Sequence, residues 1–368
     1  MKIVVTGTRG IPDILGGVET HCQELYPRLA AMGHEVTVIR RSSYVSEENR
    51  RDNYKGVNLV DVYAPRRKSL EAIVHTFLAV LKARSMRPDV LHIHAIGPSL
   101  MVPLARLLGM NVVTTNHGPD YDRQKWGRLA KATLRLGERL GAGWSNRVIV
   151  ISRVISEILA NNYNCHNTTL IPNGVTPPTL SASHDYTDSL GIIPGKYILA
   201  MGRFVKEKGF HDLIEAWLPL KEKGWQLVLA GDADHNDSYS ETLKTQAGKN
   251  GVILTGFIHG ERLRQVLSGA ALFVLPSYHE GLPIALLEAM SYNLDVAVSD
   301  IPANRLPELD RDSDFFSAGN VEDLTRLMTA KLSAGLTPRK YDLSTYNWDN
   351  IAQHTLEVYH EVTETKIK

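Results

Sequence analysis

Two glutamates, Glu280 and Glu288, close the two ends of the segment E-G-L-P-I-A-L-L-E. An ionised carboxylate only accepts hydrogen bonds, so each can hold a pair of hydroxyls on a ribose or a hexose. Gly281, Leu282 and Pro283 between them shape a tight turn that opens a helix. The free N–H groups at such an end suit phosphate. Glu280 then lies in the loop and Glu288 about two turns along the helix. The plain alternative is a pair of acids that cap and solvate a helix. The flanking P-S-x-x-E-G-x-P and E-A-M favour a ligand site. A second segment, G-R-F-V-K-E-K-G at 202–209, carries Arg203 and Lys208 on one loop. A planar guanidinium and a point-charge ammonium five residues apart can clamp a diphosphate, and would act most strongly as that group leaves. A solvated basic loop is the alternative.

Weaker signals lie in the first half. Gly16 and Gly17 precede Val18-Glu19-Thr20, where a ligand could approach the backbone of a helix start. The preceding G-T-R-G is not G-x-G-x-x-G, so a dinucleotide site has little support. His117, in T-N-H-G after an apolar run, can hydrogen-bond a sugar hydroxyl. His92 and His94 alternate with Leu91 and Ile93 and so share one side of a strand. With no third ligand in view they read as sheet packing or cleft lining rather than a metal site. Arg9, Gly16 and His94 fall where an acceptor region is expected. Asp232-Ala233-Asp234 spells D-x-D, but it follows a strand as part of A-G-D and reads as a loop.

These residues need strands to end beside them. Short β-branched runs at 2–6, 35–39, 58–62, 90–94 and 111–115 alternate with helical spacing at 16–32, 70–85 and 98–108, with Gly33 as a plausible C-cap. The stretch 171–183, rich in Pro, Asn and Gly, reads as a linker. The alternation then restarts: strands at 197–201, 226–230, 252–255, 272–276 and 296–299, helices at 210–220 and 286–291, and a closing amphipathic helix from Trp348. Strands alternating with helices predict parallel sheets, with ligands outside the carboxyl ends of the strands. A length of 368 residues suits two such domains.

Composition bounds the rest. Two cysteines, Cys22 and Cys165, give neither a disulfide framework nor metal-ligand spacing. The opening MKIVVTGTRG lacks the pattern of a secretory leader, and no apolar run is long enough to span a bilayer. A cytoplasmic protein is expected, with no nucleic-acid partner. The formal charge of +1 conceals +9 over residues 1–172 and −8 over the remainder. The basic half suits an anionic acceptor or surface. Within it, Trp126, Leu129, Thr133, Leu136 and Leu140 share one helical face and Arg128, Lys131, Arg135 and Arg139 another. That arrangement fits either an ordinary surface helix or a helix docked peripherally on an anionic membrane.

Taken together, G-G-V-E-T at 16–20, G-H-E-V-T-V at 33–38, D-V-L-H-I-H at 89–94, I-P-N-G-V at 171–175, G-R-F-x-x-E-K-G at 202–209 and the E-x7-E pair resemble the retaining GT-B glycosyltransferases of family 4. The resemblance covers nearly the whole chain and implies an α/β, GT-B fold: two Rossmann-like, doubly wound domains facing a central cleft. Residues 1–176 with 346–368 would bind the acceptor and residues 177–345 the nucleotide-sugar. By resemblance, Glu288 holds the donor ribose and Glu280 the transferred sugar. Arg203 and Lys208 hold the diphosphate with the Gly17 backbone, and His117 sits beside the sugar. The implied reaction is hexosyl transfer with retention, by front-face displacement, with no metal or other cofactor. UDP is the default base, and the acceptor is a glycan or lipid-linked glycan of cell-surface polysaccharide synthesis. A nucleotide-sugar epimerase, or a non-catalytic sugar-nucleotide-binding protein on the same architecture, are the rivals. One departure from the family pattern is Asn293-Leu294-Asp295, where a small residue and Pro are usual.

Overall fold

A computed structural model describes residues 1–65, 71–122, 127–233, 237–335 and 338–364. The chain forms two compact units, Met1–Gly174 with Thr345–Lys368, and Val175–Ser344. The strands of the first are β1 (Lys2–Thr6), β2 (Glu35–Arg41), β3 (Asn53–Tyr54), β4 (Val57–Val62), β5 (Val90–His94), β6 (Val112–Asn116), β7 (Arg147–Val150) and β8 (Thr168–Leu170). They pair in the order β3-β4-β2-β1-β5-β6-β7-β8, parallel except for the short β3–β4 hairpin. Helices α1 (Gly17–Ala31), α2 (Glu71–Met86), α3 (Val102–Leu107), α4 (Arg128–Trp144) and α5 (Arg153–Tyr163) make the crossovers that parallel strands require. Residues Ile3–Thr6 and Val90–His94 are buried, as expected of strands covered on both faces.

The second unit repeats this plan. Strands β9 (Tyr197–Met201), β10 (Gln226–Ala230), β11 (Ile253–Gly256), β12 (Leu272–Leu275), β13 (Val296–Ser299) and β14 (Phe315–Phe316) form a parallel sheet in the order β11-β10-β9-β12-β13-β14. Helices α6 (Asp185–Ser189), α7 (Phe210–Lys221), α8 (Ser238–Asn250), α9 (Gly260–Ser268), α10 (Ile284–Ser291) and α11 (Val321–Ser333) connect them, and α12 (Trp348–Glu364) closes the chain. In each sheet the strand order reverses once, between β1 and β5 and between β9 and β12. A crevice opens at such a switch point because successive crossovers leave in opposite directions.

Helix α12 belongs to the first unit. Its Trp348, Ile351 and Tyr359 are buried in one apolar cluster with Leu25 and Leu29 of α1 and Ile3 and Val5 of β1. The segment read as a linker is therefore shorter than expected. Ile171 and Asn173 are buried, and a Cβ on Gly174 would lie 2.5 Å from the Trp348 ring. Exposure begins only at Thr176. The departure at 293–295 also has a structural account. Asn293 adopts φ 59 after α10, and Asp295 accepts from Lys331 Nζ at 2.7 Å, in an ion network with Asp314 and Arg339. The sequence pattern did not single out β7, β8, α5, α8, α9 or α11. Three of those helices carry a readable start, with Ser152, Asp237 and Asn320 each capping by a side-chain hydrogen bond. Trp348→Ala should destabilise the first unit by about 3–5 kcal/mol. Urea unfolding followed in the two units separately would show the loss confined to the first.

Candidate functional site

The second unit builds a cradle at the β9/β12 switch. After β9 the chain turns through Gly202 (φ 153), runs past Arg203, forms one 3-10 turn over Lys206–Lys208, and reaches Gly209 (φ 66). The positive φ of Gly202 favours glycine there, and Gly209 is demanded by close approach, since a Cβ on it would meet the Pro276 carbonyl at 2.1 Å. After β12 the second loop lies on the first, and the Tyr278 N–H donates to the Glu207 carbonyl at 2.8 Å. Ser299 Oγ donates to the Ser277 carbonyl at 2.5 Å, and the Tyr278 hydroxyl donates to Asp212 Oδ2 on α7. Sequence reasoning missed Tyr278 and Asp212, which sit on different elements.

Lys208 Nζ reaches Glu280 Oε1 at 2.5 Å, with both side chains mostly buried. Burial by itself would raise the Glu280 carboxyl. The Lys208 charge and hydrogen bond, with Ser277 and His279, outweigh it and hold Glu280 below the usual carboxylate range. The two residues predicted to hold sugar and diphosphate thus hold each other. Helix α10 starts at Ile284 because Pro283 is still extended (φ −75, ψ 108), and no side chain caps that end. Glu288 therefore stands one turn in, half-buried, rather than two turns in as the sequence suggested. Gly281 and Leu282 form the turn before the helix. The D-x-D segment is described only in part. Asp232 accepts from Lys244 Nζ at 2.6 Å, and Asp234 lies outside the described residues.

In the first unit, the loop after β1 is held from below by Glu19. Its Oε1 accepts from Thr8 Oγ1 at 3.2 Å and from the Arg9 N–H at 3.0 Å. Gly16 (φ 151) is required there, since a Cβ would strike Glu19 Oε2 at 2.0 Å. Gly17 is different: it begins α1, is exposed, and a Cβ would meet nothing within 4 Å. Arg9 Nη1 donates to the Leu15 carbonyl at 2.8 Å and its guanidinium lies over the Tyr44 ring, so it braces the loop.

His117 follows β6. Its loop is anchored by Asn116, whose Oδ1 accepts from the Gly118 N–H at 2.9 Å and whose Nδ2 donates to buried Glu138 at 3.0 Å. Behind it lie three further histidines. His94 Nδ1 is 2.9 Å from His117 Nε2, and His92 stacks on His94 at 4.2 Å. His21 meets His117 and His94 edge-on, and its Nδ1 is 3.0 Å from Asn173 Oδ1. The expectation that His92 and His94 share a strand face holds. The side chain of His94, expected in the acceptor region, is fully buried behind His117. Among the described residues no group of three or more His, Cys, Asp or Glu is arranged to hold a metal ion. Both cysteines are free and buried.

These features match known proteins. The Glycosyltransferase Family 4 profile matches residues 15–177, and the Glycosyl transferases group 1 profile matches residues 195–333. The chain belongs to the family 4 glycosyltransferases of GT-B fold. An uncharacterized glycosyltransferase of Methanocaldococcus jannaschii is 28% identical over 98% of both chains. A GDP-mannose:cellobiosyl-diphosphopolyprenol alpha-mannosyltransferase of Xanthomonas oryzae is 26% identical over 74% of each. Among solved structures, sucrose-phosphate synthase from Thermosynechococcus elongatus superposes with a TM-score of 0.82 at 20% identity, covering 99% of each chain.

Burial holds the histidine cluster neutral. It depresses His21 to about 4 and His92 to about 3, and takes His94 and His117 well below the ordinary range. Unfolded histidines titrate near 6.5, so below that pH the unfolded chain binds more protons than the folded one. The stability contributed is present in full above about pH 6.5 and is lost as pH falls. At pH 5 each such histidine should cost the first unit about 2 kcal/mol. Thermal denaturation at pH 7.5 and pH 5 should show the first unit melting lower in acid, with a smaller drop in His92→Gln.

Proposed function

We propose that this glycosyltransferase moves a hexosyl group from a nucleoside diphosphate sugar, UDP-linked by default, to a glycan or lipid-linked acceptor with retention of anomeric configuration. The observation that carries the reading is the Lys208–Glu280 pair at the β9/β12 switch point, where open parallel sheets place their ligands, with Arg203 on the same loop as Lys208. In this reading the second unit binds the donor. Arg203 and Lys208 take the diphosphate, the turn Gly281–Leu282–Pro283 and the start of α10 lie beside it, Glu288 takes the ribose and Glu280 the sugar. The first unit binds the acceptor and contributes His117 and the exposed Gly17 backbone. Lys208 exchanges part of its contact with Glu280 for the phosphate oxygens, and the positive charge then meets charge developing on the leaving group. Glu280 is anionic at neutral pH and accepts sugar hydroxyls; no residue is assigned as a covalent nucleophile. The reaction needs no metal in this scheme, since the leaving diphosphate is met by Arg203 and Lys208. Membership of the family argues against an epimerase, and retention of Arg203, Lys208 and Glu280 together argues against a scaffold without activity.

A lipid-linked acceptor, cytoplasmic synthesis of surface polysaccharide and peripheral docking on the inner face of a membrane form one connected reading. The name of the Xanthomonas relative includes a diphosphopolyprenol acceptor. Helix α4 packs through Gly137 and Gly141 and turns Leu129, Leu136 and Trp144 outward, 84%, 48% and 48% exposed. Arg128, Lys131, Arg135 and Arg139 flank that apolar face, which suits anionic lipid. Trp126, assigned to the same face from sequence, lies outside the described residues. No helix among the described residues is long and apolar enough to cross a membrane.

Glu280→Gln should lower transfer by at least about 100-fold while the protein stays folded. Near-normal turnover by that variant removes the sugar-holding role. A thermal-shift series with UDP-, GDP-, ADP- and TDP-sugars should single out one base by its rise in Tm, and the anomeric proton coupling of the product should report retention. Vesicles containing anionic phospholipid should co-sediment the protein in low salt. Leu129→Ser together with Leu136→Ser should abolish that binding, and wild-type protein left in the supernatant would end the membrane reading.

A further inference from the structure

Behind His117 the polar groups form a continuous chain. His117 Nε2 meets His94 Nδ1 at 2.9 Å, and His94 Nε2 meets the Tyr26 hydroxyl. Tyr26 lies 3.0 Å from His92 Nδ1, which is 2.6 Å from the Tyr359 hydroxyl, and His92 Nε2 is 2.7 Å from Thr115 Oγ1. Tyr26 comes from α1, His92 and His94 from β5, Thr115 and His117 from β6 and the loop after it, and Tyr359 from α12. Tyr26, His92, His94 and Tyr359 have no exposed surface, so bulk solvent does not reach their polar atoms.

We propose that Tyr26 and His94 are positioning residues that fix His117 as its Nδ1–H tautomer and so make the remaining ring nitrogen a hydrogen-bond donor. The argument is one of proton counting. Each neutral imidazole carries one N–H and offers one acceptor nitrogen, and each tyrosine has one proton to give. A phenol is the stronger acid and an imidazole nitrogen the stronger base, so the favourable sense is phenol donating to ring nitrogen. Two phenols, which also hydrogen-bond each other, face two ring nitrogens, and the Tyr26 hydroxyl reaches both. Tyr359 donates to His92 Nδ1, which leaves His92 with its proton on Nε2, donated to Thr115. With the His92 Nδ1 lone pair taken by Tyr359, Tyr26 donates to His94 Nε2, which places the His94 proton on Nδ1. His94 then donates to His117 Nε2, and the His117 proton is left on Nδ1. Were Tyr26 to accept from His94 instead, every proton from His94 outward would reverse and His117 Nδ1 would become an acceptor. A second proton on any ring would put a charge in a buried cluster where His21 also stands edge-on to His94 and His117.

The consequence rests on the proposed function, in which His117 faces the transferred sugar: an Nδ1–H donor suits a hydroxyl oxygen and discriminates against a ligand group that can only donate. The tautomer itself is read without substrate. In protein labelled with 15N-histidine, long-range proton–nitrogen spectra at pH 7.5 should show His94 and His117 protonated on Nδ1 and His92 on Nε2. Tyr26→Phe should abolish the single Nδ1–H state of His117 and lower kcat about tenfold with the donor KM within about twofold. His94→Gln can accept from Tyr26 through Oε1 and donate to His117 through Nε2, so it should keep the His117 Nδ1–H signal, whereas His94→Leu should lose it. An Nε2–H signal for His117 in the wild type, or an unchanged Nδ1–H signal in Tyr26→Phe, overturns the proposal. If the tautomers are as stated but His117→Ala transfers sugar normally, the sugar contact fails and the tautomer chain stands.

Discussion

The second unit depends on the contact between two loops that leave adjacent strands at the sheet's reversal of order. Lys208 can reach Glu280 because Gly209 lets the first loop lie against the Pro276 carbonyl. Neither charge is placed by its own element. Lys208 sits in a single 3-10 turn and Glu280 in a loop, both structures with little rigidity of their own. Their positions come from the backbone bond between the loops, from Ser299 below and from Asp212 beside them. A mostly buried carboxylate left without a cation would carry a large desolvation cost, so the ion pair keeps the cradle preorganised and ionised before any ligand arrives.

The first unit solves the opposite electrostatic problem. It gathers four imidazoles and two phenols on one side of a parallel sheet and keeps them all neutral. A neutral buried network is tolerable only when its donors and acceptors match. Here they match in a chain that runs from α12 through β5 to the loop carrying His117. That chain also gives the returning helix a reason to be held in register: Tyr359 supplies a proton to His92, while Trp348 packs on Gly174 at the other end of the same helix. The two units therefore carry unlike properties, a charged cradle on one and a neutral histidine cluster on the other.

Much of this was legible along the chain. The alternating strands and helices, the two-domain plan and the candidate cradle residues follow from patterns within a few residues of each other. Period-2 and period-3.6 spacing are local, and a loop after a strand end is a local feature as well. The first strand of each sheet, β1 and β9, and the burial of β5 came from apolar runs alone. Reading failed where local signals were weak or shared. The stretch at 171–174 looks like a linker because Pro, Asn and Gly favour turns, but Trp348, 174 residues later, packs on it. Glu288 sits one turn into its helix because Pro283 stays extended, a choice that its neighbours decide.

The residue types in the site were a property of the sequence: which carboxylates, cations and imidazoles exist and on which loops they fall. Their pairings were decided only by the tertiary structure. Lys208 and Glu280 are 72 residues apart, His94 and Tyr26 are 68, and His92 and Tyr359 are 267. Side-chain contacts across such separations are set by strand order and crossover direction, which bring chain ends of different strands to one edge of a sheet. Hydrogen bonds and desolvation act over a few ångströms of space, and the sequence orders residues only along the chain. So the chemistry available was written in one dimension, and the proton positions and charge states that make it usable were settled in three.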